Sequence, residues 1–267
     1  MKSFIALFTL LTFFSHNLLA QDDSPYKTSF AVDAPIIAAG MGLSYWGLTR
    51  MQAKDGLTEE EARSLTVNDV NSFDRGGAGN YSLNAKKASD FPFYGSFAMP
   101  AVFMLNKNIR SKAGQVAVLY VETMAVTGAL FTMTNGSVRR SRPLAYNPNV
   151  PIDEKIEANT QNSFYAGHTA ATASATFFAA KVFHDFNPDS PARPYVWAVA
   201  AAIPGTVGYL RLKAGKHFLS DNILGYVAGA TAGILVPQLH KKTNNTNVSI
   251  FPVSAPDFNG AAMTYTF

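Results

Sequence analysis

Long, weakly charged apolar segments dominate this chain and limit the folds that it can adopt. Hydrophobic residues make up 48% of the 267 positions, and charged residues make up only 15%. Apolar segments of helical length alternate with short connections rich in proline, glycine or basic residues, at about 34–53, 92–106, 114–135, 168–183, 191–210 and 220–239. This alternation predicts an all-α fold built as a six-helix bundle.

The two ends of the chain differ from the predicted bundle. Residues 1–20 have a basic start, an apolar run and a small residue at Ala20, which together predict a signal peptide. Residues 241–267 are rich in β-forming side chains around Asn259-Gly260, which predicts a small C-terminal β-hairpin turning at that dipeptide. The helical domain is therefore predicted to span 21–240.

A polar insertion over 54–92 follows the first predicted helix. Thr58 and Glu61 have the spacing of a capping box, which predicts a short helix. Residues 68–92 lack a period and collect Asn, Gly, Ser and Asp, which predicts a long loop.

Charge and cysteine content exclude several classes of function. The formal net charge of +4 is too small to indicate a nucleic-acid partner. The absence of cysteine excludes a disulfide framework, a lipoprotein anchor and a thiolate metal site.

Residues 211–221 carry the densest group of chemically useful side chains. His217 and Asp221 are four residues apart, which on a helix places both on one face, so that the carboxylate could orient the imidazole for nucleophilic attack. Arg211 lies before Gly215, where a turn could fold its guanidinium back as an anion clamp.

Two further clusters precede this one. Asn135, Arg140 and Arg142 follow the third predicted helix. Gly167 and His168 open the fourth, where backbone N–H groups at a helix start favour an anion and a histidine could protonate a leaving oxygen.

The order and spacing of these clusters resemble the type-2 phosphatidic acid phosphatase and vanadium haloperoxidase superfamily. Its three motifs are Lys-x6-Arg-Pro, Pro-Ser-Gly-His and Ser-Arg-x5-His-x3-Asp. The positions that match are Arg142, Pro143, Gly167, His168, Arg211, Gly215, His217 and Asp221. The positions that depart from the motifs are Asn135 for Lys, Tyr165 and Ala166 for Pro-Ser, and Leu210 for Ser.

The resemblance implies a phosphatase that works without metal or cofactor on phosphate monoesters or diphosphates, including lipid or prenyl phosphates. His217 would attack phosphorus and become phosphohistidine, Asp221 would orient it, and His168 would protonate the departing alkoxide and then activate water. The phosphate oxygens would be held by Arg142, Arg211, the Gly167 amide, Arg140 and Asn135.

Two other functions remain open at this point. Asn135 and Ala166 each remove a phosphate donor, so a non-catalytic phosphate-binding relic is one alternative, although Arg139 or Lys216 could compensate. A vanadate-dependent haloperoxidase shares the same residues, and the short chain argues against it.

The sequence allows two interpretations of where the protein is located in the cell. A cleaved signal peptide predicts an exported protein of the periplasm or cell envelope, with the mature N-terminus outside the cytoplasm. Six spans with their basic connections in the cytoplasm would place the N-terminus inside, as in an integral-membrane lipid phosphatase. Because Glu122, Lys181 and Pro204 interrupt the apolar segments, the sequence favours the exported protein, with a phosphorylated small molecule or lipid as its partner.

Overall fold

The computed structural model describes residues 24–242, 248–255 and 258–265, so the predicted signal peptide lies outside the described residues. The α-helices are α1 (Phe30–Gln52), α2 (Glu59–Ser64), α3 (Leu83–Phe97), α4 (Met99–Phe103), α5 (Lys107–Arg110), α6 (Ala113–Ser137), α7 (Ile152–Ile156), α8 (Gly167–Phe186), α9 (Arg193–Lys213) and α10 (Leu219–Leu239). The strands are β1 (Val248–Ala255) and β2 (Phe258–Tyr265). The predicted all-α fold with a small C-terminal hairpin is confirmed.

The predicted insertion differs most from the structure. The capping box at Thr58 and Glu61 is present and starts α2. The loop predicted over 68–92 is wrong from Leu83 onwards, because α3 begins there, and the Ser82 hydroxyl accepts the Ala85 N–H at 3.2 Å. Propensity patterns missed this helix because its first turns are polar.

The α8 helix is the centre of the bundle and contacts α3, α4, α5, α6, α9 and α10. Most of its residues are buried, and many of them are Ala, Thr or Ser. Small side chains allow neighbouring helix axes to approach closely. The helix thereby fixes the positions of its neighbours relative to its own N-terminus, where His168 lies.

The glycine stripe of α10 packs against α8. A Cβ atom on Gly225, Gly229 or Gly233 would lie 2.5, 2.0 and 2.5 Å from the backbone oxygens of Ala166, Ala170 and Ser174. These three glycines therefore allow the two helices to approach closely.

A cluster of large apolar side chains fills the end of the bundle away from Gly167. It forms where the first half of α6 meets the second half of α8, and it consists of Tyr26, Ile109, Val116, Leu119, Phe178, Val182 and Phe186. This core leaves the opposite end of the bundle to polar groups.

The β-hairpin is antiparallel, but its turn is not where the sequence predicted it. Ala255 pairs with Phe258, so the chain reverses between these two residues, and 256–257 lie outside the described residues. Asn259 and Gly260 lie inside β2, opposite Ser254 and Val253. The pairing register of the two strands, and not the local Asn259-Gly260 signal, determines where the chain turns.

Among the described residues, two helices, α6 and α10, are long and apolar enough to cross a membrane by length and composition. Large apolar side chains are also exposed on α1, α3 and α9, including Phe30, Trp46, Phe91, Tyr94 and Tyr195.

Candidate active site

A glycine turn after α9 brings His217 into the interior. Gly215 has φ +70°, and a Cβ atom there would lie 1.8 Å from the Asn80 backbone oxygen, so only glycine fits. His217 is buried, and its Nδ1 lies 2.6 Å from the Ser163 carbonyl oxygen. Because a carbonyl only accepts, Nδ1 carries the hydrogen and Nε2 keeps a free lone pair.

Asp221 reaches His217 through a third residue. The predicted shared helix face is wrong, because α10 begins at Leu219, after His217. The Asp221 carboxylate accepts hydrogen bonds from the Ser163 hydroxyl at 2.6 Å and the Phe218 N–H at 2.9 Å. The carboxylate therefore holds Ser163, and the Ser163 carbonyl holds the imidazole.

Arg142 and Arg211 are two buried guanidinium groups in one neighbourhood. The Nε atom of each has no hydrogen-bond partner among the described residues. Burial and the charge of Arg211 lower the pKa of Arg142 to about 9, and burial lowers the pKa of Arg211 to about 10. Two buried cations with unsatisfied donors constitute a site for an anion.

His168 belongs to the same neighbourhood. Burial, together with the charges of Arg211 and Arg142, lowers its pKa to about 3. Burial and the same two guanidinium groups also depress the pKa of His217, and His168 contributes to that shift. The structure therefore brings together the two histidines and two arginines that the motifs singled out.

Asp90 approaches these groups from α3. Its Oδ1 lies 3.7 Å from the His168 Nε2 and 4.0 Å from an Arg211 Nη1. The His168 ring also packs on Phe93, with ring centroids 4.1 Å apart. Sequence reasoning missed Asp90, since it lies in the segment predicted as a loop and no motif includes it.

Arg140 is bound to two carboxylates. Its guanidinium donates to Asp221, to Asp74 Oδ2 at 2.6 Å and to the Ser220 hydroxyl at 3.0 Å, and it lies over the Phe218 ring. These bonds use three of the five N–H donors of its guanidinium group. The structure places Arg140 as a support for Asp221 instead.

Asn135 is buried against the segment before Ser163. Its Nδ2 donates to the Asn162 carbonyl at 3.4 Å. The Lys54 ammonium donates to the Asn135 carbonyl, to the Val138 carbonyl at 2.6 Å and to Asn162 Oδ1 at 2.9 Å. All three ammonium hydrogens are thus used in fixing the end of α6, a role that no sequence signal indicated.

Lys216 is the cation beside Arg142. It is buried, and its ammonium lies 3.4 Å from Glu154 Oε1. Burial and the charge of Arg142 lower its pKa. Lys216 therefore adds a third cation close to Arg142 and Arg211.

Gly167 is the first residue of α8, which leaves its N–H group without an intrahelical partner. A Cβ atom at Gly167 would lie 2.6 Å from the Phe131 ring. The glycine is required for this packing as well as for any contact between its amide and an anion.

A cavity of about 420 Å³ opens beside Arg140. Its lining includes Phe73, Asp74, Phe164 and Ser220, but neither His168 nor His217. The positions of the titratable groups, not this cavity, identify the centre of the site.

One comparison with known protein families agrees with the motif assignment. The family model of the PAP2 superfamily matches residues 116–245, which include the clusters at 135–143, 167–168 and 211–221. A transmembrane PAP2-type phosphatidylglycerolphosphate phosphatase from Bacillus subtilis is similar in structure, at 17% identity and a TM-score of 0.40, covering 88% of this chain and 94% of that chain. No curated protein sequence matches this chain.

Proposed function

We propose that this chain is a phosphatase of the PAP2 superfamily, whose family model matches residues 116–245, and that it works through a phosphohistidine. The observation that carries the proposal is the pair of buried guanidinium groups, Arg142 and Arg211, which accompany two imidazoles and whose Nε atoms have no hydrogen-bond partner in the described part of the chain. Such a site supplies charge neutralisation and positioning, which are what phosphoryl transfer requires of a protein.

The first half of the proposed reaction transfers the phosphoryl group to His217. The Nε2 lone pair forms a bond to phosphorus, and the bond from phosphorus to the leaving oxygen breaks. Arg142, Arg211 and the Gly167 amide hold the remaining oxygens. His168 gives its proton to the leaving oxygen, so that an alcohol departs.

The second half returns the enzyme to its starting state. His168, now neutral, takes a proton from water, and the hydroxide oxygen bonds to phosphorus as the N–P bond breaks. The electron pair of that bond returns to the His217 Nε2. The hydrogen bond from the His217 Nδ1 to the Ser163 carbonyl keeps the ring in one tautomer throughout.

The low pKa of His168 determines how the proton enters. With no anion in the site, His168 is neutral above about pH 3. A phosphate monoester loses its second proton near pH 6. A substrate that binds as the monoanion carries one proton, and it can pass this proton to His168. Because the monoanion is lost as pH rises above about 6, we expect activity to fall there.

An aryl phosphate assay tests the proposal. Purified protein should release phosphate, vanadate should inhibit the release, and His217→Ala should abolish it. His184→Gln is the matched control, since His184 contacts Arg193 and Trp197 away from the site. Tight phosphate binding without turnover on aryl or lipid phosphates would contradict the phosphatase.

The non-catalytic relic remains the second candidate because of Asn135 and Ala166. Lys216, beside Arg142, supports catalysis by supplying a cation in place of the family's lysine. We therefore expect Lys216→Gln to lower kcat/KM by about 100-fold.

A protein that binds phosphate but gains turnover only on Ala166→Ser would be a relic. Oxidation of bromide with vanadate and peroxide would reveal a haloperoxidase.

The exposed apolar side chains of α1 and α10 support a membrane location over a freely soluble exported one. They include Phe30, Tyr45, Trp46, Leu224, Val227 and Leu239. Monomeric soluble proteins rarely expose large contiguous apolar patches. Because α6 and α10 are also long and apolar enough to cross a membrane, we infer that these two helices are membrane-embedded. We infer further that the substrate is a phosphorylated lipid or prenyl compound reached at the membrane surface.

A further inference from the structure

A second group of ionisable side chains lies inside the bundle, far from the histidines of the candidate active site. It consists of Asp33 on α1, Glu122 on α6 and His240 at the end of α10. Asp221 and His240 are separated by nearly the whole of α10, or about 28 Å at 1.5 Å per residue. The phosphatase reaction uses none of these three residues.

Their ligand atoms converge on one point. The His240 Nε2 lies 3.2 Å from Asp33 Oδ1 and 3.5 Å from Glu122 Oε2. All three atoms lie within 4.8 Å of one another. Both carboxylates are buried, so bulk water does not screen them.

The hydrogen bonds of His240 determine which nitrogen faces the carboxylates. Its Nδ1 lies 2.8 Å from the Val236 carbonyl oxygen, which can only accept. Nδ1 therefore carries a hydrogen, and in the neutral ring the Nε2 lone pair points at two carboxylates. Three electron-rich atoms facing one another in a buried place require a positive centre between them.

A proton on Nε2 satisfies this arrangement only in part. One N–H can donate along one direction, and Asp33 Oδ1 is the nearer acceptor. Glu122 Oε2 is buried and has no hydrogen-bond partner among the described residues. A cation placed between the three atoms would satisfy all of them at once.

The spacing fits a divalent transition metal. Zinc binds imidazole nitrogen and carboxylate oxygen at about 2.0–2.2 Å, so tetrahedral ligands lie about 3.4 Å apart. The separations of 3.2 and 3.5 Å agree with that edge length. One imidazole with two carboxylates suits Zn²⁺ or Mn²⁺ better than Ca²⁺, which takes oxygen ligands.

Neighbouring groups hold the ligands in place, as outer-shell partners do in metal sites. The Ser29 N–H donates to Asp33 Oδ2 at 2.8 Å, and the Val236 carbonyl fixes the ring of His240. The Lys27 N–H donates to the His240 carbonyl at 2.8 Å, which fastens the end of α10 to the segment before α1.

We propose that Asp33, Glu122 and His240 bind one divalent transition-metal ion, with Zn²⁺ as the best fit, which ties α1, α6 and α10 together. The site is structural: no step at His217 passes through it. Its failure would leave the proposed phosphatase intact, and the reverse also holds.

The test uses the full-length protein, stripped of metal with a chelator and titrated with Zn²⁺. We expect one equivalent of tightly bound zinc per chain by elemental analysis and a higher midpoint of thermal unfolding. Glu122→Gln should lower the zinc affinity more than about 100-fold and abolish the thermal shift. His184→Gln, which changes a histidine outside the group, should bind zinc as the parent chain does.

Thermal unfolding of Glu122→Gln without metal distinguishes a metal site from an ion pair between His240 and the two carboxylates. Without metal, Glu122→Gln removes one of two facing carboxylates, so it should unfold at the same temperature as the metal-free parent or higher. His240→Gln provides a second variant that also loses the zinc response. The proposal is overturned if the parent binds no stoichiometric zinc, or if zinc shifts the parent and Glu122→Gln equally.

Discussion

Ser163 connects the nucleophile of the proposed site to its carboxylate. Its carbonyl accepts from the His217 ring, while its hydroxyl donates to Asp221 at 2.6 Å. Because Asp221 acts on His217 through Ser163, it orients the imidazole rather than placing its charge next to the ring. The contribution of Asp221 should therefore depend on Ser163.

A double-mutant cycle tests this dependence. Ser163→Ala and Asp221→Asn should each lower kcat on an aryl phosphate by about 10- to 100-fold, since each leaves a buried group without its partner. The double variant should be little worse than the poorer single variant. Effects that simply multiply would mean that Asp221 acts on His217 independently of the serine.

The folded protein should lose stability as the pH is lowered, and a bound anion should reduce that loss. The pKa of His168 is about 3 in the folded protein and 6.5 in the unfolded chain, so between these values the unfolded chain binds a proton that the folded protein does not. The free energy of unfolding should therefore fall as pH falls from about 6.5 towards 3. His168→Gln should lose less stability over this range.

Thermal unfolding between pH 7 and pH 4.5, with and without phosphate, measures this effect. Bound phosphate should reduce the loss, because its negative charge favours the protonated ring. An equal loss in the parent and in His168→Gln would contradict the assignment.

Restoring the family's lysine should harm this protein. Asn135 is buried next to the Lys54 ammonium, which already donates to three oxygens. A second ammonium there would be buried without a partner, so Asn135→Lys should cost about 3 kcal/mol or more of stability. Asn135→Met, of similar length and no charge, is the control in denaturant unfolding. A lysine variant as stable as Asn135→Met would contradict this placement.

At the scale of elements, the contact between α8 and α10 fixes the site. Gly229 faces Ala170 at a distance that leaves no room for a Cβ atom. Gly229→Ala should force the two helices apart and cost about 2–3 kcal/mol, with a loss of activity because α8 carries His168 and α10 carries Asp221. Gly205→Ala, in α9 with open space around it, should instead gain about 0.5–1 kcal/mol. Equal effects of the two changes in denaturant unfolding would contradict the proposed contact.

The helices and motif positions were predictable because they rest on local periodicity and fixed spacing. What the sequence could not provide were the contacts between distant segments: Asp90 beside His168, Lys54 beside Asn135, and Ser163 between His217 and Asp221. The four-residue spacing of the last pair suggested a helix face, but the glycine turn delays α10 until Leu219. Polar first turns concealed α3 for a similar reason, since its helix depends on the Ser82 cap.

At the scale of the whole molecule, the apolar exterior predicts how the protein fractionates. The exposed apolar faces of α1 and α10 should keep it in the membrane pellet through a wash at high pH, and detergent should release it. N-terminal sequencing of the released chain would determine whether residues 1–20 are removed. Recovery in the soluble fraction without detergent would contradict the membrane location.

The central claim is that His217 carries the phosphoryl group, and trapping that intermediate tests it most directly. An aryl phosphate with a good leaving group needs no acid, so His168→Ala should still be phosphorylated but should hydrolyse the intermediate slowly. Rapid quenching at alkaline pH, followed by peptide mass spectrometry, should then locate the phosphate on residue 217. Phosphate on another side chain, or none on residue 217 in a protein that still turns over, would contradict the account.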